Sequence, residues 1–269
     1  MKIGCMIWRI GDILDFYGQI EWIKLNGFDE VEFWTLPGAP GAWQGFDIQR
    51  ALPEDILRLK HTLDGFREVD IHAGFDETGA GLAGLAKGNT DMKRTFELAT
   101  EIGAKVVTIH PAQKTIEVSE IESLEKLNEL GGKYRVRVGI ETMGGTETER
   151  KMLIISQLNL KHIGITLDTG HIHFENGIAF ESYGGLGNLI DKTNAKIVHV
   201  HAHDYDGNND HIAIGKGYID FPDIIAALCR AKFSGSICLE INPYRESPES
   251  ILESKKLLHD MIERICGSI

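Results

Sequence analysis

The sequence predicts an α/β protein built as a single (β/α)8 barrel, and three observations support this. Strand-like apolar runs and amphipathic helical stretches alternate eight times along 269 residues, and no linker or charge run divides them. This number of units in a chain of this length is typical of a closed parallel barrel. The alternative, an open doubly wound sheet, needs a glycine-rich phosphate turn after the first strand, and Trp8-Arg9-Ile10-Gly11 is not one. We therefore expect one TIM-barrel domain over residues 1–269.

The eight predicted strands are short runs rich in aliphatic residues and bounded by Gly or polar positions. The sixth is followed at once by Thr169, Gly170 and His171, which turn away from the strand direction. The predicted strands are residues 2–8, 29–35, 69–74, 105–110, 135–141, 164–168, 195–203 and 236–241.

The predicted helices follow from amphipathic periodicity and from capping residues. Gly27 and Gly103 end two helices, Pro53 begins another, and Asp91 caps a fourth. Residues 36–46 are predicted to be a loop, and residues 75–90 are too rich in Gly and Ala to assign. The predicted helices are residues 14–26, 53–63, 91–102, 118–130, 146–158, a piece ending at 189–193, 222–231 and 247–266.

Composition restricts the function classes. The formal net charge of −12 argues against nucleic acid as a partner, because a protein that follows a phosphate backbone is usually basic. Neither a leader with a basic start nor a membrane-length apolar run is evident, so we expect no membrane partner and a cytoplasmic location. The four cysteines have no paired spacing and no CxxC motif, which predicts reduced thiols. Cys5 and Cys238 are expected to fill the barrel.

Six consecutive predicted strands carry, at or within two residues of their carboxyl end, a residue that can bind a metal. In each strand this residue has inward parity and follows an aliphatic residue that faces the helices. One inward His is more often a hydrogen-bonded core residue than a ligand, but several carboxylates converging at one mouth would repel each other unless a cation joined them. Mixed carboxylate and imidazole ligands suit zinc, manganese, iron or cobalt. The six residues are His72, His110, Glu141, Asp168, His201 and Glu240.

The chain resembles the xylose isomerase-like barrels, a superfamily that includes sugar epimerases and endonuclease IV. The motifs that carry the resemblance span nearly the whole chain: Asp70-Ile71-His72-Ala73, Ile109-His110-Pro111, Ile140-Glu141-Thr142-Met143, Leu167-Asp168-Thr169-Gly170-His171, His201-Ala202-His203-Asp204, Asp210-His211 before Gly215-Lys216-Gly217, and Leu239-Glu240-Ile241. In the sugar isomerase and epimerase branch, the resemblance implies one divalent metal ion, manganese, zinc or cobalt, held by Glu141, Asp168, His201 and Glu240.

This branch implies a small sugar or sugar acid as substrate. Glu141 and Glu240 would be the catalytic acid and base that move a proton through an enediolate. Trp8 and Trp34 would cover the apolar face of the sugar or simply pack. Barrels of this family often pair, so a homo-oligomer is an open expectation.

The endonuclease IV branch implies a different function, zinc-dependent phosphodiester hydrolysis at abasic DNA. Two or more zinc ions would then be bound, and His72, His110, His171 and His211 would be further ligands or, in a mononuclear enzyme, would contact the substrate. One departure counts against a complete trinuclear site: Asn209 stands where that branch has an Asp two residues before the His that matches His211. A third alternative is a barrel that binds metal and sugar without turnover.

Several residues near the predicted site are expected to have supporting roles. Glu32 and Arg137 share inward parity and are expected to pair deeper in the barrel. His203 and Asp204 lie at the rim, where they could orient ligands or cap a loop. The polar, Gly-rich segment 205–216 is expected to be a mobile cover over the mouth.

Overall fold

The computed structural model describes residues 1–8, 10, 14–38, 44–73, 90–111, 118–144, 148–173, 184–193 and 196–267. Most of the unassigned segment 75–90 and the middle of the predicted loop 36–46 lie outside the described residues, as does the side chain of Asp91. Eight parallel strands form a closed barrel in sequence order, which confirms the predicted fold class. The strands are β1 Lys2–Met6, β2 Glu30–Trp34, β3 Glu68–His72, β4 Val106–Ile109, β5 Arg137–Glu141, β6 Ile163–Asp168, β7 Ile197–Ala202 and β8 Ser236–Leu239.

Helices connect the strands and cover the outside of the barrel. Side-chain caps begin several of them; Asp15, for example, accepts a hydrogen bond from the backbone N–H of Gly18. Across the described residues, no helix is long and apolar enough to span a membrane. The eight described helices are α1 Phe16–Leu25, α2 Pro53–Leu63, α3 Thr90–Ile102, α4 Val118–Tyr134, α5 Thr148–Gln157, α6 Leu186–Thr193, α7 Phe221–Arg230 and α8 Pro248–Cys266.

Helix α4 runs further than the sequence predicts. The predicted helix ends at residue 130, before Gly131 and Gly132, but the observed helix continues to Tyr134. A Cβ on Gly131 would lie 2.8 Å from the Cβ of His162, which precedes β6. Gly131 is therefore explained by close packing between the helix and the start of a strand, not by helix termination.

Two of the four cysteines form a disulfide, which corrects the prediction of four reduced thiols. Cys229 near the end of α7 is bonded to Cys266 at the end of α8, with their Cα atoms 5.8 Å apart. The residues are separated by 37 positions, so only the packing of α7 against α8 brings them together. Cys5 and Cys238 are free and buried. Cys238 lies inside the barrel as expected, but Cys5 pairs in the register with Val31 and Leu239 and therefore faces the helices, which corrects the prediction that it fills the barrel.

The inside of the barrel is polar, whereas barrels of this type are usually filled by Val, Ile and Leu. The apolar core lies instead between the strands and the helices, where Val31, Ile71 and Val200 are buried. The barrel interior is consequently available for chemistry. Its fully buried polar residues include Glu30, Glu32, Asp70, Thr108, Thr166, His199 and Cys238.

Candidate metal centre at the barrel mouth

Glu141 at the end of β5 is the centre of the cluster at the mouth. Its Oε2 lies 2.6 Å from Nε2 of His110 and 3.2 Å from Nε2 of His72. Its Oε1 lies 3.1 Å from Nδ1 of His201 and 3.3 Å from Nδ1 of His171. Burial opposes ionisation of this carboxyl, but His110 and His201 outweigh burial and hold its pKa well below the ordinary value. Glu141 is therefore a carboxylate surrounded by four imidazoles.

The four residues predicted to hold one metal ion lie together. One ligand atom from each of Glu141, Asp168, His201 and Glu240 lies within 4.8 Å of the others, and all four residues are buried. Nδ1 of His201 is 3.1 Å from Oε1 of Glu141, 3.2 Å from Oε2 of Glu240 and 3.9 Å from Oδ2 of Asp168.

A single imidazole N–H cannot donate to three carboxylates. Oε2 of Glu240 has no hydrogen-bond partner of normal geometry within the described part of the chain. Three carboxylates and one imidazole that converge on a point make a donor set that suits a divalent cation. The residues present therefore fit the predicted metal ion.

The two candidate catalytic carboxyls have opposite electrostatic environments. Burial raises the pKa of Glu240 to about 7; the charge of His201 opposes this rise, and the carboxylates of Glu141 and Asp168 add to it. The pKa of Glu141 is held well below its ordinary value, as described above. A pair of groups shifted in opposite directions is a common basis for acid and base roles.

Asp168 is oriented by the turn that follows β6. Its Oδ1 accepts hydrogen bonds from the backbone N–H groups of Gly170, at 2.9 Å, and His171, at 2.6 Å. Its Oδ2 lies 3.4 Å from Nδ1 of His171. Asp168 is therefore both a turn former and a candidate ligand.

The additional histidines form two further groups that share a carboxylate with the first. His72 and His110 group with Glu141, with ligand atoms within 4.8 Å of one another. His171 and His211 group with Asp168 and with His203, which was not predicted as a ligand. The alternation along β7 could have identified His203 as a ligand candidate, because His199, His201 and His203 are spaced two residues apart and so share one face.

His203 and His211 hold each other in place. Their rings stack at 3.8 Å, and the backbone N–H of His211 donates to Nδ1 of His203 at 2.8 Å. Nε2 of His203 therefore carries the proton and donates to Asp168. His211 has a φ of 53°, a conformation that is uncommon for a residue with a side chain. Burial lowers the pKa of His211 to about 4, which keeps its imidazole neutral.

Asn209, the departure from the endonuclease IV pattern, does not join these groups. Its side-chain amide donates to Asp206 at 3.0 Å. The carboxylate of Asp210 lies 3.3 Å from Nδ1 of His211. The group around His171 and His211 is therefore made with Asp168 and His203, without Asn209 or Asp210.

The segment predicted to be a mobile cover is extensively hydrogen-bonded. The buried carboxylate of Asp204 accepts hydrogen bonds from the backbone N–H groups of Gly215 and Gly217, each at 2.9 Å, and of Ile219 at 3.1 Å. Asp204 also pairs through its backbone with Ile212. It acts as the loop cap that was one of its two expected roles.

The two tryptophans predicted to contact substrate lie against histidines of the mouth. Trp34 stacks on His72 with ring centroids 3.7 Å apart, and Trp8 meets His211 edge to face at 5.0 Å. Both tryptophans are partly exposed. They form apolar walls beside the candidate metal ligands.

These features define a (β/α)8 barrel with a candidate metal centre at the carboxyl end of its strands. The chain belongs to the xylose isomerase-like TIM barrel family, because the sequence model of that family matches residues 20–261. The predicted family resemblance is confirmed.

Among its relatives, an uncharacterized protein of Methanocaldococcus jannaschii is 28% identical over 231 residues, which are 78% of this chain and 76% of that protein. A ketose 3-epimerase of Arthrobacter globiformis is 23% identical over 260 residues, 89% of this chain and 83% of the relative. A solved structure of a D-tagatose 3-epimerase-like protein superposes with a TM-score of 0.74 at 23% identity, covering 100% of this chain and 99% of that one. At 23% identity, the similarity between the two structures shows that they share a fold.

Proposed function

We propose that this protein is a metal-dependent isomerase or epimerase of a small sugar or sugar acid. The observation that carries the proposal is the arrangement of Glu141 and Glu240. They come from strands three positions apart in the barrel and lie 3.1 Å and 3.2 Å from the same nitrogen of His201. The ketose 3-epimerase among the relatives supports a sugar as substrate.

The metal ion would be held by Glu141, Asp168, His201 and Glu240. When bound there, a divalent cation supplies charge that polarises the substrate carbonyl and acidifies the neighbouring C–H. Zinc, manganese and cobalt all suit the donor set.

Glu141 and Glu240 would move the proton. A carboxylate on each side of the substrate carbon can remove a proton from one face and return one to the other, which gives epimerisation; one active base would give isomerisation. Trp8 and Trp34 would pack on the apolar face of the sugar and exclude water.

Proton exchange with solvent tests this reaction class directly. Ketoses and uronates are incubated with the manganese-, cobalt- or zinc-loaded protein in D2O, and deuterium at the carbon beside the carbonyl is followed by NMR. We expect Glu141→Gln and Glu240→Gln each to lower kcat by about 10²- to 10⁴-fold. Glu263→Gln, an exposed position on α8 with a 73% exposed side chain, is the matched control.

Two results would count against the proposal. One is full activity in both Gln variants. The other is tight sugar binding by calorimetry with no exchange for any sugar tested, which would instead support the non-catalytic barrel.

A second candidate function, phosphodiester hydrolysis at abasic DNA, is favoured by the grouping of His72 and His110 with Glu141. Two or three zinc ions per chain at the mouth, counted as the zinc lost when Glu141 and Asp168 are both replaced by Ala in protein purified without chelator, together with cleavage of a duplex carrying an abasic site, would support it. About one metal ion per chain at the mouth and an intact duplex would support the sugar reaction.

A further inference from the structure

A second cluster of possible ligands lies inside the barrel, below the mouth. Glu30 and Glu32 of β2, His199 of β7 and Cys238 of β8 form this interior cluster. One ligand atom from each residue lies within 4.8 Å of the others. All four residues are 0% exposed. The interior cluster shares no residue with the candidate metal centre.

Unpartnered polar atoms concentrate in this cluster. Within the described residues, eight buried side-chain nitrogen and oxygen atoms lack a hydrogen-bond partner of normal geometry. Two of them belong to His171 and Glu240 in the candidate metal centre, and five belong to the interior cluster and the adjacent Asp70. Nδ1 of His199 and Oδ2 of Asp70 lie 3.5 Å from each other, whereas the other three are carboxyl oxygens of Glu30 and Glu32 at ligand positions. Each such atom costs about 1–3 kcal/mol, so these three oxygens point to a cation that satisfies them at once. The five are Oε1 and Oε2 of Glu30, Oε1 of Glu32, Nδ1 of His199 and Oδ2 of Asp70.

The carboxyl groups of the cluster are crowded. Glu30, Glu32 and the adjacent Asp70 are all 0% exposed, and Glu32 of β2 pairs with Asp70 of β3 in the barrel register. Buried carboxyls crowded in this way either retain protons or share a cation.

Gly4 makes room for the cluster. In the barrel register, Gly4 of β1 pairs with Glu30 on one side and with Cys238 on the other. A Cβ at Gly4 would lie 1.3 Å from Oε2 of Glu30, so any other residue would displace this carboxylate. The absent side chain lets Glu30 occupy the space between β2 and β8.

We propose that the interior cluster binds one divalent transition-metal ion through Glu30, Glu32, His199 and Cys238. A thiolate and an imidazole select zinc, cobalt or iron(II) over magnesium and calcium, which prefer oxygen ligands. Four protein ligands are typical of a structural zinc-type site. The thiol proton of Cys238 is released to solvent when the cation binds.

The surroundings of His199 match this role. Nε2 of His199 lies 2.8 Å from Oε2 of Glu32. Because it faces this ligand carboxylate, Nε2 is the nitrogen that would bind the ion. Nδ1 lies 3.5 Å from Oδ2 of Asp70, where a short adjustment makes a hydrogen bond. A carboxylate behind a ligating imidazole is the usual way to orient it. Because the cluster is fully buried, the ion is bound as the barrel folds.

Cobalt substitution tests the site without reference to catalysis. The protein is produced in medium supplemented with cobalt, so that the ion is present during folding, and its near-ultraviolet absorption and cobalt content are measured. A thiolate-to-cobalt charge-transfer band is expected, and it reports only this site because no ligand of the mouth contains sulfur. Cys238→Ser should abolish the band and remove one cobalt ion per chain.

Cys5→Ser is the matched control, since Cys5 is the other free buried thiol and lies outside the cluster. It should keep the band. Glu30→Gln, which retains both thiols, should also lose one cobalt ion per chain. Glu141→Gln should keep the band, which separates this site from the mouth and from the proposed sugar reaction. Folded, cobalt-containing wild-type protein without the band, or a band that persists in Cys238→Ser, would overturn the proposal.

Discussion

Oε2 of Glu32 lies 3.1 Å from Nε2 of His201, and the other nitrogen of the same imidazole faces Glu141 and Glu240. Glu32 was expected to pair with Arg137, but in the structure it accepts hydrogen bonds from His199 and His201. This contact fixes the proton of His201 on Nε2 and directs Nδ1 toward the mouth. Glu32 is thus a positioning residue for the candidate metal centre.

Replacing Glu32 by Gln should weaken metal binding at the mouth. An amide cannot stabilise the same imidazole orientation, so we expect a loss of about 10- to 100-fold in metal affinity at the mouth, measured by competition with a chelating dye in the Cys238→Ser background, which removes binding at the interior cluster. Glu32→Asp should recover part of this loss. Cys238→Ser leaves the Glu32–His201 contact intact and should bind metal at the mouth normally. Equal affinity in Cys238→Ser with and without Glu32→Gln would contradict the positioning role.

Removal of metal should destabilise the fold. The carboxylates of Glu141, Asp168 and Glu240 then lack the cation that compensates them. A ligand present at about 1,000 times its Kd stabilises by about 4 kcal/mol, which for a chain of this size is roughly 10 °C in Tm. Scanning calorimetry with manganese, zinc or EDTA measures this, and magnesium serves as the weakly bound control. An unchanged Tm in EDTA, with metal loss verified, would count against the site.

Asp204→Asn should loosen the segment above the mouth. The carboxylate accepts backbone hydrogen bonds from Gly215, Gly217 and Ile219, and an amide cannot accept all of them with both terminal atoms. We expect a loss of about 2–3 kcal/mol in the free energy of unfolding, measured in urea. Faster hydrogen exchange at residues 212–219 should accompany it. Asp206→Asn, an exposed change in the same segment, should leave both measurements nearly unchanged.

The ion pair between Glu246 and Lys216 should stabilise the fold at neutral pH and lose this contribution in acid. Burial opposes ionisation, but Lys216 and the N–H of Ala213 outweigh it and lower the pKa of Glu246. A carboxyl whose pKa is lowered in the folded state stabilises above its unfolded pKa of about 4.3, and this contribution is lost as pH falls through the folded value.

Glu246→Gln should therefore cost about 1 kcal/mol at neutral pH, a modest value because Lys216 is half exposed. The difference in unfolding free energy between wild type and variant should shrink as the pH falls below 4. The matched change Lys216→Met should show the same pH dependence. A difference that stays constant with pH would show that the effect is not electrostatic.

The sequence alone determined the order of the elements and the ends of the strands. Alternating parity placed six residues on inward faces: His72, His110, Glu141, Asp168, His201 and Glu240. In a parallel barrel the carboxyl ends of all strands meet at one mouth. For this reason residues as far apart as His72 and Glu240 could be assigned to one site without coordinates.

Contacts across the barrel and between helices were decided only by the tertiary structure. Parity shows that Glu32 faces inward, but the stagger of the strands determines that His199 and His201, and not Arg137, reach it. The Cys229–Cys266 bond likewise depends on how α7 packs against α8. Such contacts depend on distances between elements far apart in sequence, and the periodicity within each element carries no information about those distances.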